Sequence, residues 1–344
     1  MEVTQPIFIV GSGRSGSSIL HQMSNQNLKA IIKNTIWERA MSKIIQKPNV
    51  FIVGAARSAT TSIVGHLKFH SEVYIPEKKE PGYYATFFYK MPRKGKGDEK
   101  ADSRVIKTWD DYIQLYSVDR EYKVRIDAST EYLYYPKAAE MIKRDCQDAK
   151  IIICLRHPIE RAYSAYNYMV LRERETLSFE QALEQDNMRQ DYEYIWRYFN
   201  GGLYYEAVKH YIDVFGKDNV KIVFFENFTK DVQDEMNEVF EFIGVEPINI
   251  QANVVFNKSG KVEYPKIYRW VNQLIKGKSL LKRLYQKITP KHKRRAIIEK
   301  VKGLLLEKKQ PINANTRKKL SDAYNEDIEK LSSYLDIDLS HWSR

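Results

Sequence analysis

Short runs of apolar, mostly β-branched residues recur along the chain without alternating with polar residues. This pattern is typical of parallel strands that are buried on both faces of a sheet. Segments with the periodicity of amphipathic helices lie between these runs. The predicted strands are Ile7–Val10, Val50–Val53, Val124–Ile126, Ile151–Leu155 and Val220–Phe225. The predicted helices are Thr61–Phe69, Pro136–Arg144, Ile159–Arg172, Phe179–Gln185, Tyr204–Phe215 and Thr229–Ile243.

Strands that alternate with helices predict an α/β fold, in which a central parallel sheet lies between two helical layers. The stretch Met91–Lys100, rich in Pro, Gly and Lys, is predicted to be a surface loop. After Lys261 no strong strand pattern remains, so the C-terminal part is predicted to be helical. The chain is expected to comprise an N-terminal extension (1–47), an α/β core (48–262) and a basic helical part of the same domain (263–344).

A strand–loop–helix segment occurs twice near the N-terminus. Residues 7–20 read IFIVGSGRSGSSIL, and residues 50–63 read VFIVGAARSATTSI. A loop of this kind aims unpaired backbone N–H groups at one point, and the helix dipole adds positive potential, so it favours phosphate binding. An ordinary β–α turn with a capping hydroxyl is the alternative. The second copy is expected to be the active one, and the first is interpreted as a partial duplicate or an added edge strand, with a part in a working site as the alternative.

The charge of the chain is unevenly distributed. The formal net charge is +12, but residues 264–310 hold 15 Lys and Arg against two Glu, and the remainder is close to neutral. A solvated basic helical face is the favoured interpretation, and a patch that attracts an anionic substrate, a membrane surface or nucleic acid is the alternative. No nucleic-acid partner is expected, and no predicted segment is long and apolar enough to span a membrane.

Composition and the first residues bear on the cellular compartment. The two cysteines, Cys146 and Cys154, exclude a disulfide-rich scaffold and a zinc module built from cysteines. The segment Met1–Pro6 lacks the basic region that begins a secretory signal. We therefore expect a cytoplasmic protein.

Two further segments carry residues suited to anion chemistry. The loop PEKKEPGYY places the carboxylate of Glu80 among lysines and aromatic residues. The segment IIICLRHPIERAYSAY runs from a buried strand into a helix, with Arg156 at the end of the strand and Ser164 two turns along the helix. Because ligands of open α/β sheets bind at the carboxyl ends of the strands, Arg57 and Arg156 are expected to converge there.

Together the three segments resemble the sulfotransferases that use 3′-phosphoadenosine 5′-phosphosulfate (PAPS), above all the heparan-sulfate-type carbohydrate branch and its bacterial relatives. The resemblance implies their three-layer, P-loop-like α/β fold, PAPS as donor substrate and adenosine 3′,5′-bisphosphate (PAP) as product. It implies that the loop after Val53 binds the 5′-phosphosulfate and that Arg156 and Ser164 bind the 3′-phosphate. Glu80 and Arg57 are the implied catalytic residues, Glu80 as general base, and no metal is expected.

The resemblance extends to other segments of the chain. The Gly-x-Tyr element that ends at Tyr204 and the basic loop FNKSGK that ends at Lys261 are similar to elements near the cofactor in that family. The segment between Thr316 and Trp342 is similar to the terminal helices of bacterial members. The residues implied in cofactor binding are Gly54, Ala55, Ala56, Arg57, Ser58, Ala59, Thr60, Thr61, Ser62, Arg156, Ser164, Tyr204, Lys258, Ser259, Gly260 and Lys261.

The sequence departs from the family pattern in the first loop. Arg57 stands where the family usually has Lys, and Ala59 stands where it usually has Gly. Arginine keeps the charge but has a larger, planar head. Ala59 leaves less room for a close approach of the backbone to a ligand. No lysine occurs near Ala128 and Ser129, where some carbohydrate members have one.

Several alternatives remain open at this stage. The leading hypothesis is transfer of a sulfuryl group to a hydroxyl, or to a nitrogen, of a glycan or small-molecule acceptor. A nucleotide kinase using ATP and Mg²⁺ is a second candidate, although no Gly-Lys-Ser/Thr of a Walker A loop occurs. A non-catalytic, basic anion-binding protein is a third. Glu80 has an alternative role in a surface pair with Lys78 or Lys79, and Arg156 has one in an ion pair with Glu160. Asp127 and Glu131 either orient acceptor hydroxyls or have a local structural role.

Overall fold

The computed structural model describes residues 43–250, 261–262, 306–307 and 311–343. The chain divides into two compact units. Within the described residues, the smaller unit contains two short strands, β1 (Ile44–Ile45) and β4 (Ser117–Val118), which pair antiparallel. The larger unit runs from Lys47 to Tyr116 and continues from Tyr122, and it contains the other elements described below.

A five-stranded parallel sheet forms the centre of the larger unit, with the strand order β3–β5–β2–β6–β7. The strands with four or more residues confirm the four strands predicted after residue 47. The two-residue strand β3 was not predicted, because two residues show no periodicity. The bounds are β2 Val50–Gly54, β3 Val73–Tyr74, β5 Val124–Asp127, β6 Lys150–Leu155 and β7 Val220–Phe224.

Helices cover both faces of this sheet, as the alternation of patterns predicts. Neighbouring residues of β2 fall into different apolar clusters: Phe51 packs on one face of the sheet and Ile52 on the other. The same holds for Ile151 and Ile152 of β6. The helices are α1 Thr60–Leu67, α2 Glu99–Asp102, α3 Trp109–Gln114, α4 Ala138–Asp145, α5 Pro158–Leu171, α6 Phe179–Glu184, α7 Tyr205–Phe215, α8 Phe225–Lys230, α9 Val232–Ile243 and α10 Ala314–Leu335.

Short 3₁₀ turns complete the described secondary structure, and one of them, Tyr132–Tyr134, lies at the carboxyl end of the sheet beside the loop after β2. The other turns are Tyr83–Phe87, Asp186–Met188, Tyr194–Trp196, Asn200–Gly202, Lys217–Asn219 and Ser340–Ser343. Within the described ranges, no helix has the length and apolarity needed to cross a bilayer.

The prediction of one helix over Thr229–Ile243 is wrong, because the helix is interrupted at Asp231. The backbone of Asp231 is extended, with φ −142° and ψ 98°, and its side chain accepts a hydrogen bond from Asp234 N. An aspartate in this role caps a helix and favours a new start over continuation. The chain therefore forms α8 and α9 in place of one helix.

The stretch Met91–Lys100 is not a simple surface loop. The side chains of Arg93 and Asp98 are buried. The carboxylate of Asp98 accepts hydrogen bonds from Trp196 Nε1 at 3.0 Å and from Glu193 N at 2.9 Å, and it pairs with Arg174. Because these partners follow 76 to 98 residues later, the local composition does not indicate the burial.

The C-terminal part is helical over α10, as predicted. A two-residue strand, β9 (Leu306–Glu307), occurs in the stretch for which only helices were predicted, and it pairs antiparallel with β8 (Lys261–Val262). The predicted strand Ile7–Val10, the first copy of the loop and nearly all of the basic segment lie outside the described residues. The division of the chain at residues 47 and 262 stays a prediction.

Candidate functional site

The loop after β2 and the strand–helix junction after β6 meet at the carboxyl ends of their strands. Arg156 Nη1 donates a hydrogen bond to the main-chain oxygen of Arg57 at 3.2 Å. Arg57 Nε donates to Ser164 Oγ at 3.3 Å. Three residues that the family resemblance assigns to the two ends of one nucleotide therefore lie together. The alternative partner of Arg156, Glu160, instead pairs with Arg317 of α10.

The loop after β2 is held in an unusual backbone conformation. Arg57 and Ala59 have φ angles of 75° and 66°, in the left-handed region that non-glycine residues rarely adopt. Ala55 N donates to Cys154 O at 2.6 Å, which fixes the start of the loop to β6. Ala59 is the residue before α1 and provides no side-chain cap. The N-terminus of this eight-residue helix therefore faces the site without an acceptor from its capping residue.

Both arginines lie against aromatic rings and are largely removed from water. The guanidinium carbon of Arg57 is 4.8 Å from the centroid of Tyr168, and that of Arg156 is 4.1 Å from the centroid of Phe225. Burial lowers the pKa of both side chains, and the positive charges of Arg156 and Arg172 lower the pKa of Arg57 further. Positive charges held together at this cost produce a site that attracts an anion.

Several polar atoms at the site are buried without a hydrogen-bond partner among the described residues, and they include Ser58 Oγ and Arg156 Nε. Buried polar groups in folded proteins nearly always have a partner. Both atoms lack an acceptor of the kind that phosphate oxygens supply, so the residues present fit a phosphorylated ligand.

The proposed base lies in the loop between β3 and the turn that begins at Tyr83. Lys79 Nζ is 3.6 Å from Glu80 Oε1 and donates to Thr61 Oγ1 at 2.6 Å. The surface pair considered for Glu80 therefore exists with Lys79. The same lysine, however, connects the loop of Glu80 to the phosphate-type loop through Thr61. Glu80 is thus placed beside α1, close to the loop that carries Arg57.

The pKa of the Glu80 carboxyl is raised. Burial is the largest cause, and the negative charges of Glu193 and Asp127 add to it, whereas Lys79 acts in the opposite direction. A carboxyl with a raised pKa holds a proton more tightly than an ordinary glutamate does. Once ionised, it is therefore a stronger base.

A buried carboxylate holds the turn that follows Glu80. Asp127 accepts hydrogen bonds from Ser129 Oγ at 2.5 Å, Tyr112 OH at 2.7 Å and Tyr132 OH at 2.8 Å. Ser129 Oγ in turn accepts from Gly82 N at 2.9 Å. Burial raises the pKa of Asp127 to about 6 despite these donors. Of the two roles considered for Asp127, the local structural one applies, since its oxygens are occupied within the protein.

Glu131 lies on the other side of the same turn. Gly82 has φ 67°, and a Cβ at this position would collide with Glu131 Oε1. Burial raises the pKa of Glu131 to about 8, and the nearby Glu80 contributes to the increase. The carboxyl groups of Glu80 and Glu131 therefore both lie beside the turn, and the negative charge of Glu80 raises the pKa of Glu131.

One cavity adjoins the loop after β2, and another adjoins the loop of Glu80. The first, of about 370 Å³, begins at Ala55 and Ala56 and is lined further by Thr130, Tyr134, Tyr194, Arg197 and Tyr204. The other, of about 210 Å³, is lined by Glu80, Thr61 and the lysines 68, 78 and 79. Aromatic rings with a few polar groups are typical of small-molecule sites.

The remaining predicted site residues are placed as follows. Tyr204 is 1% exposed, and its hydroxyl donates to the main-chain oxygen of Arg156 at 2.9 Å. Lys258, Ser259 and Gly260 lie outside the described residues. Lys261 belongs to β8, whose backbone lies close to α5, the helix that carries Ser164.

Tyr168 and Phe225 were not identified from the sequence as site residues. Tyr168 follows Ser164 by one helical turn, and Phe225 ends a predicted strand at the same edge of the sheet as Arg156. These positions in the sequence place both residues near Ser164 and Arg156. An aromatic side chain does not by itself indicate an anion site, so the position alone was not sufficient to predict their role.

The chain is similar to known sulfotransferases in sequence and in structure. A solved sulfotransferase from Alicyclobacillus acidocaldarius is 30% identical in sequence, with a TM-score of 0.68, and the match covers 87% of this chain and 100% of that one. The human heparan sulfate glucosamine 3-O-sulfotransferase 3B1 is 22% identical over 214 residues, which are 62% of this chain and 50% of the relative. The mouse carbohydrate sulfotransferase 15 is 22% identical over 259 residues, 62% of this chain and 46% of the relative.

The chain spans about half the length of the curated relatives that it matches. A family model for the sulfotransferase domain matches residues 4–330, which is most of the chain. The P-loop-like fold expected from the sequence agrees with the parallel sheet and its helices. The chain belongs to the sulfotransferase family.

Proposed function

We propose that this protein transfers a sulfuryl group from PAPS to a hydroxyl group of an acceptor. The observation that carries the proposal is the contact of Arg57 with both Arg156 and Ser164 beside the loop of Glu80. A nucleotide with phosphate groups at both its 5′ and 3′ positions needs two anion sites in one pocket. Family membership supports the reaction class.

The phosphate-binding roles follow from position. The loop Gly54–Ser62 and the start of α1 would hold the 5′-phosphosulfate, because they present backbone N–H groups, hydroxyls and the charge of Arg57. Arg156 and Ser164 would hold the 3′-phosphate. The ring of Phe225, which already lies against Arg156, offers a flat surface for the adenine base. Lys258 and the residues up to Lys261 would add positive charge from the basic loop.

Glu80 would act as the general base. PAPS supplies a sulfuryl group attached to a phosphate that leaves as the S–O bond to it breaks. Glu80 accepts the proton of the acceptor hydroxyl while the new S–O bond forms, an effect worth about 10²–10⁴-fold in rate. Arg57 and the loop N–H groups stabilise the charge that builds on the leaving phosphate, at about 3 kcal/mol for one such donor. The protein thus contributes mainly positioning and charge stabilisation.

A glycan or a small-molecule alcohol is the proposed class of acceptor. The names of the curated relatives state that they act on heparan sulfate glucosamine and on carbohydrate. The tyrosine-lined cavity beside Ala56 offers flat apolar surfaces of the kind that pack against sugar rings. We place the reaction in the reducing cytoplasm, which the free thiols of Cys146 and Cys154 fit.

Ligand-dependent stability tests the donor assignment. PAP at 100 times its Kd should stabilise the protein by about 2.7 kcal/mol, which raises Tm by several degrees. ATP with Mg²⁺ serves as the comparison. A larger shift with ATP and Mg²⁺ would indicate a nucleotide kinase, and no shift with either would indicate an anion-binding protein without a nucleotide site.

Turnover tests the reaction itself. The purified protein is incubated with radiolabelled PAPS and a panel of neutral glycans, sulfated glycans and simple alcohols, and label on the acceptor is measured. Glu80→Gln is the inactive control and Glu77→Gln, an exposed residue of the same loop, is the active one. PAP binding without transfer to any member of the panel, under conditions where a known sulfotransferase is active, would contradict the proposal.

A further inference from the structure

The C-terminal helix α10 caps a helix of the core. Asp327 Oδ2 accepts a hydrogen bond from Tyr204 N at 2.8 Å, and Asp327 Oδ1 accepts from Tyr205 N at 3.2 Å. These N–H groups belong to the first turn of α7 and its capping residue, and Tyr204 itself supplies no side-chain cap. A carboxylate at a helix N-terminus satisfies free donors and interacts favourably with the helix dipole. The capping group of α7 therefore comes from a residue about 120 positions away in the sequence.

Tyr204, whose N–H group is capped by Asp327, contacts Arg156 of the proposed cofactor site. Tyr204 is 1% exposed, and its hydroxyl donates to the main-chain oxygen of Arg156 at 2.9 Å. The side chain of Arg156 extends from this peptide unit to Phe225 and to the main-chain oxygen of Arg57. A continuous series of hydrogen bonds thus runs from Asp327 through Tyr204 to the backbone that carries the Arg156 guanidinium.

Other contacts fix the C-terminal segment to the same part of the core. Arg317 pairs with Glu160, which lies in the first turn of α5. Tyr324 OH donates to Phe199 O at 2.8 Å. The fully buried ring of Trp342 lies 6.1 Å, between centroids, from Tyr204. These contacts hold α10 against the core, and with it the carboxylate of Asp327 against the N–H groups of Tyr204 and Tyr205.

We propose that Asp327 is a positioning residue that sets the preference of the site for a nucleotide with a 3′-phosphate, by way of Tyr204 and Arg156. The inference rests on the proposed function, in which Arg156 binds that phosphate. The hydrogen bonds that Tyr204 makes to Asp327 and to Arg156 do not involve the loop Gly54–Ser62. Arg156 itself contacts that loop through the main-chain oxygen of Arg57, and not through the backbone N–H groups and hydroxyls that would hold the 5′-phosphate. Loss of the Asp327 carboxylate should therefore weaken binding of the 3′-phosphate selectively.

Two nucleotides separate positioning from general stability. PAP carries phosphates at both the 5′ and 3′ positions, whereas adenosine 5′-phosphate (AMP) carries only the first. Asp327→Asn keeps the size of the side chain but replaces one acceptor oxygen with a donor. We expect it to weaken PAP binding by roughly tenfold, part of the effect of one charge-assisted hydrogen bond, and to leave AMP binding within about twofold. Affinities are measured by calorimetry on the full chain, with Tm recorded for every variant.

Three variants complete the experiment. Tyr204→Phe removes only the hydroxyl that reaches Arg156 and should reproduce the selective loss, even where Asp327→Asn folds poorly. Arg156→Ala should abolish the preference for PAP. Asp322→Asn, which changes an exposed carboxylate of the same helix, is the matched control and should leave both affinities unchanged.

The outcomes separate the role of Arg156 in binding the 3′-phosphate from the role of Asp327 in positioning Arg156. A wild-type protein that binds PAP and AMP equally overturns the proposed role of Arg156 and this inference with it. A wild-type preference that disappears in Arg156→Ala but persists in Asp327→Asn and Tyr204→Phe overturns this inference alone. Equal weakening of both nucleotides in Asp327→Asn and Tyr204→Phe also overturns it, since that result indicates a structural role only.

Discussion

Arg156 donates a hydrogen bond to the main-chain oxygen of Arg57, 99 residues earlier in the chain, at a distance of 3.2 Å. This contact joins the ends of two neighbouring parallel strands, β2 and β6, into one anion site. The side chain of Arg57 is turned toward Ser164 and the ring of Tyr168. The positive charges of two separate sequence motifs therefore lie together at the carboxyl ends of these strands.

Arg57→Lys and Arg57→Ala should have different effects on turnover. Lysine keeps the positive charge but loses the planar head that contacts Ser164 and Tyr168, so we expect kcat within about tenfold of the wild type. Alanine removes the positive charge that would stabilise the leaving phosphate, and we expect a loss of about 10²–10³-fold in kcat. Steady-state rates at saturating PAPS check both values. Equal losses for the two variants would show that charge is not what Arg57 contributes.

Glu80→Gln should separate chemistry from nucleotide binding. Glutamine has the shape of glutamate but cannot accept the proton, so kcat should fall by about 10²–10⁴-fold. PAP affinity should stay within about twofold, because the phosphate contacts come from other residues. Glu77→Gln, three residues earlier and exposed, is the control. Unchanged turnover in Glu80→Gln would remove Glu80 from the mechanism.

The pH dependence of kcat should report the raised pKa of Glu80. A base works only when ionised, so kcat should rise with pH along a limb whose midpoint lies above the ordinary glutamate value of about 4.3. The charge of Lys79 lowers the pKa of Glu80, so Lys79→Met should move this limb to higher pH. Rates are measured from about pH 4 to pH 9, a range chosen to include ordinary and raised carboxyl pKa values. A limb that stays in place in Lys79→Met would assign the titration to another group.

Ser129→Ala should impair catalysis more than nucleotide binding. The variant leaves Gly82 N without its acceptor and removes one of three donors to Asp127. The turn after Glu80 would lose its anchor, and we expect kcat to fall by about tenfold and stability by about 1–3 kcal/mol. PAP affinity and denaturant unfolding are measured beside kcat, with the exposed Ser103→Ala as control. A fall in PAP affinity as large as the fall in kcat would contradict a role confined to the base.

The parts of the site that the sequence predicts are those carried by short, continuous segments. Arg156 and Ser164 were identified from the family resemblance of one segment, in which a strand, a proline at the helix start and seven intervening positions fix their geometry locally. Glu80 was identified from its loop. Asp327 was not, because its partners, Tyr204 and Tyr205, are about 120 residues away and no local pattern connects them.

The fold also differs from the prediction where contacts between distant segments determine the structure. The strands β2 and β6 are long apolar runs and were found, whereas β3 has two residues and depends on pairing with β5. Asp98 was assigned to a surface loop, yet it is buried because Arg174 and Trp196 come to it from later segments. Tertiary contacts decide such cases, and they are not encoded in nearby residues.

Ala59→Gly should stabilise the protein, although glycine usually weakens one. Ala59 has φ 66°, and the left-handed conformation costs a residue with a Cβ about 1–2 kcal/mol. Glycine avoids this cost but loses about 0.4–1 kcal/mol through the greater freedom of its unfolded chain. The expected net gain in unfolding free energy is therefore roughly 0.5–1 kcal/mol.

Ala56→Gly provides the matched control, since Ala56 lies in the same loop but is not among the described residues with positive φ. There the glycine relieves no strain, so the substitution should destabilise the protein by about 0.4–1 kcal/mol. Urea unfolding of both variants measures the two effects in parallel. A gain for Ala59→Gly beside a loss for Ala56→Gly would show that the loop stores strain at Ala59. Losses of similar size in both variants would show that alanine at position 59 does not strain the backbone of the loop.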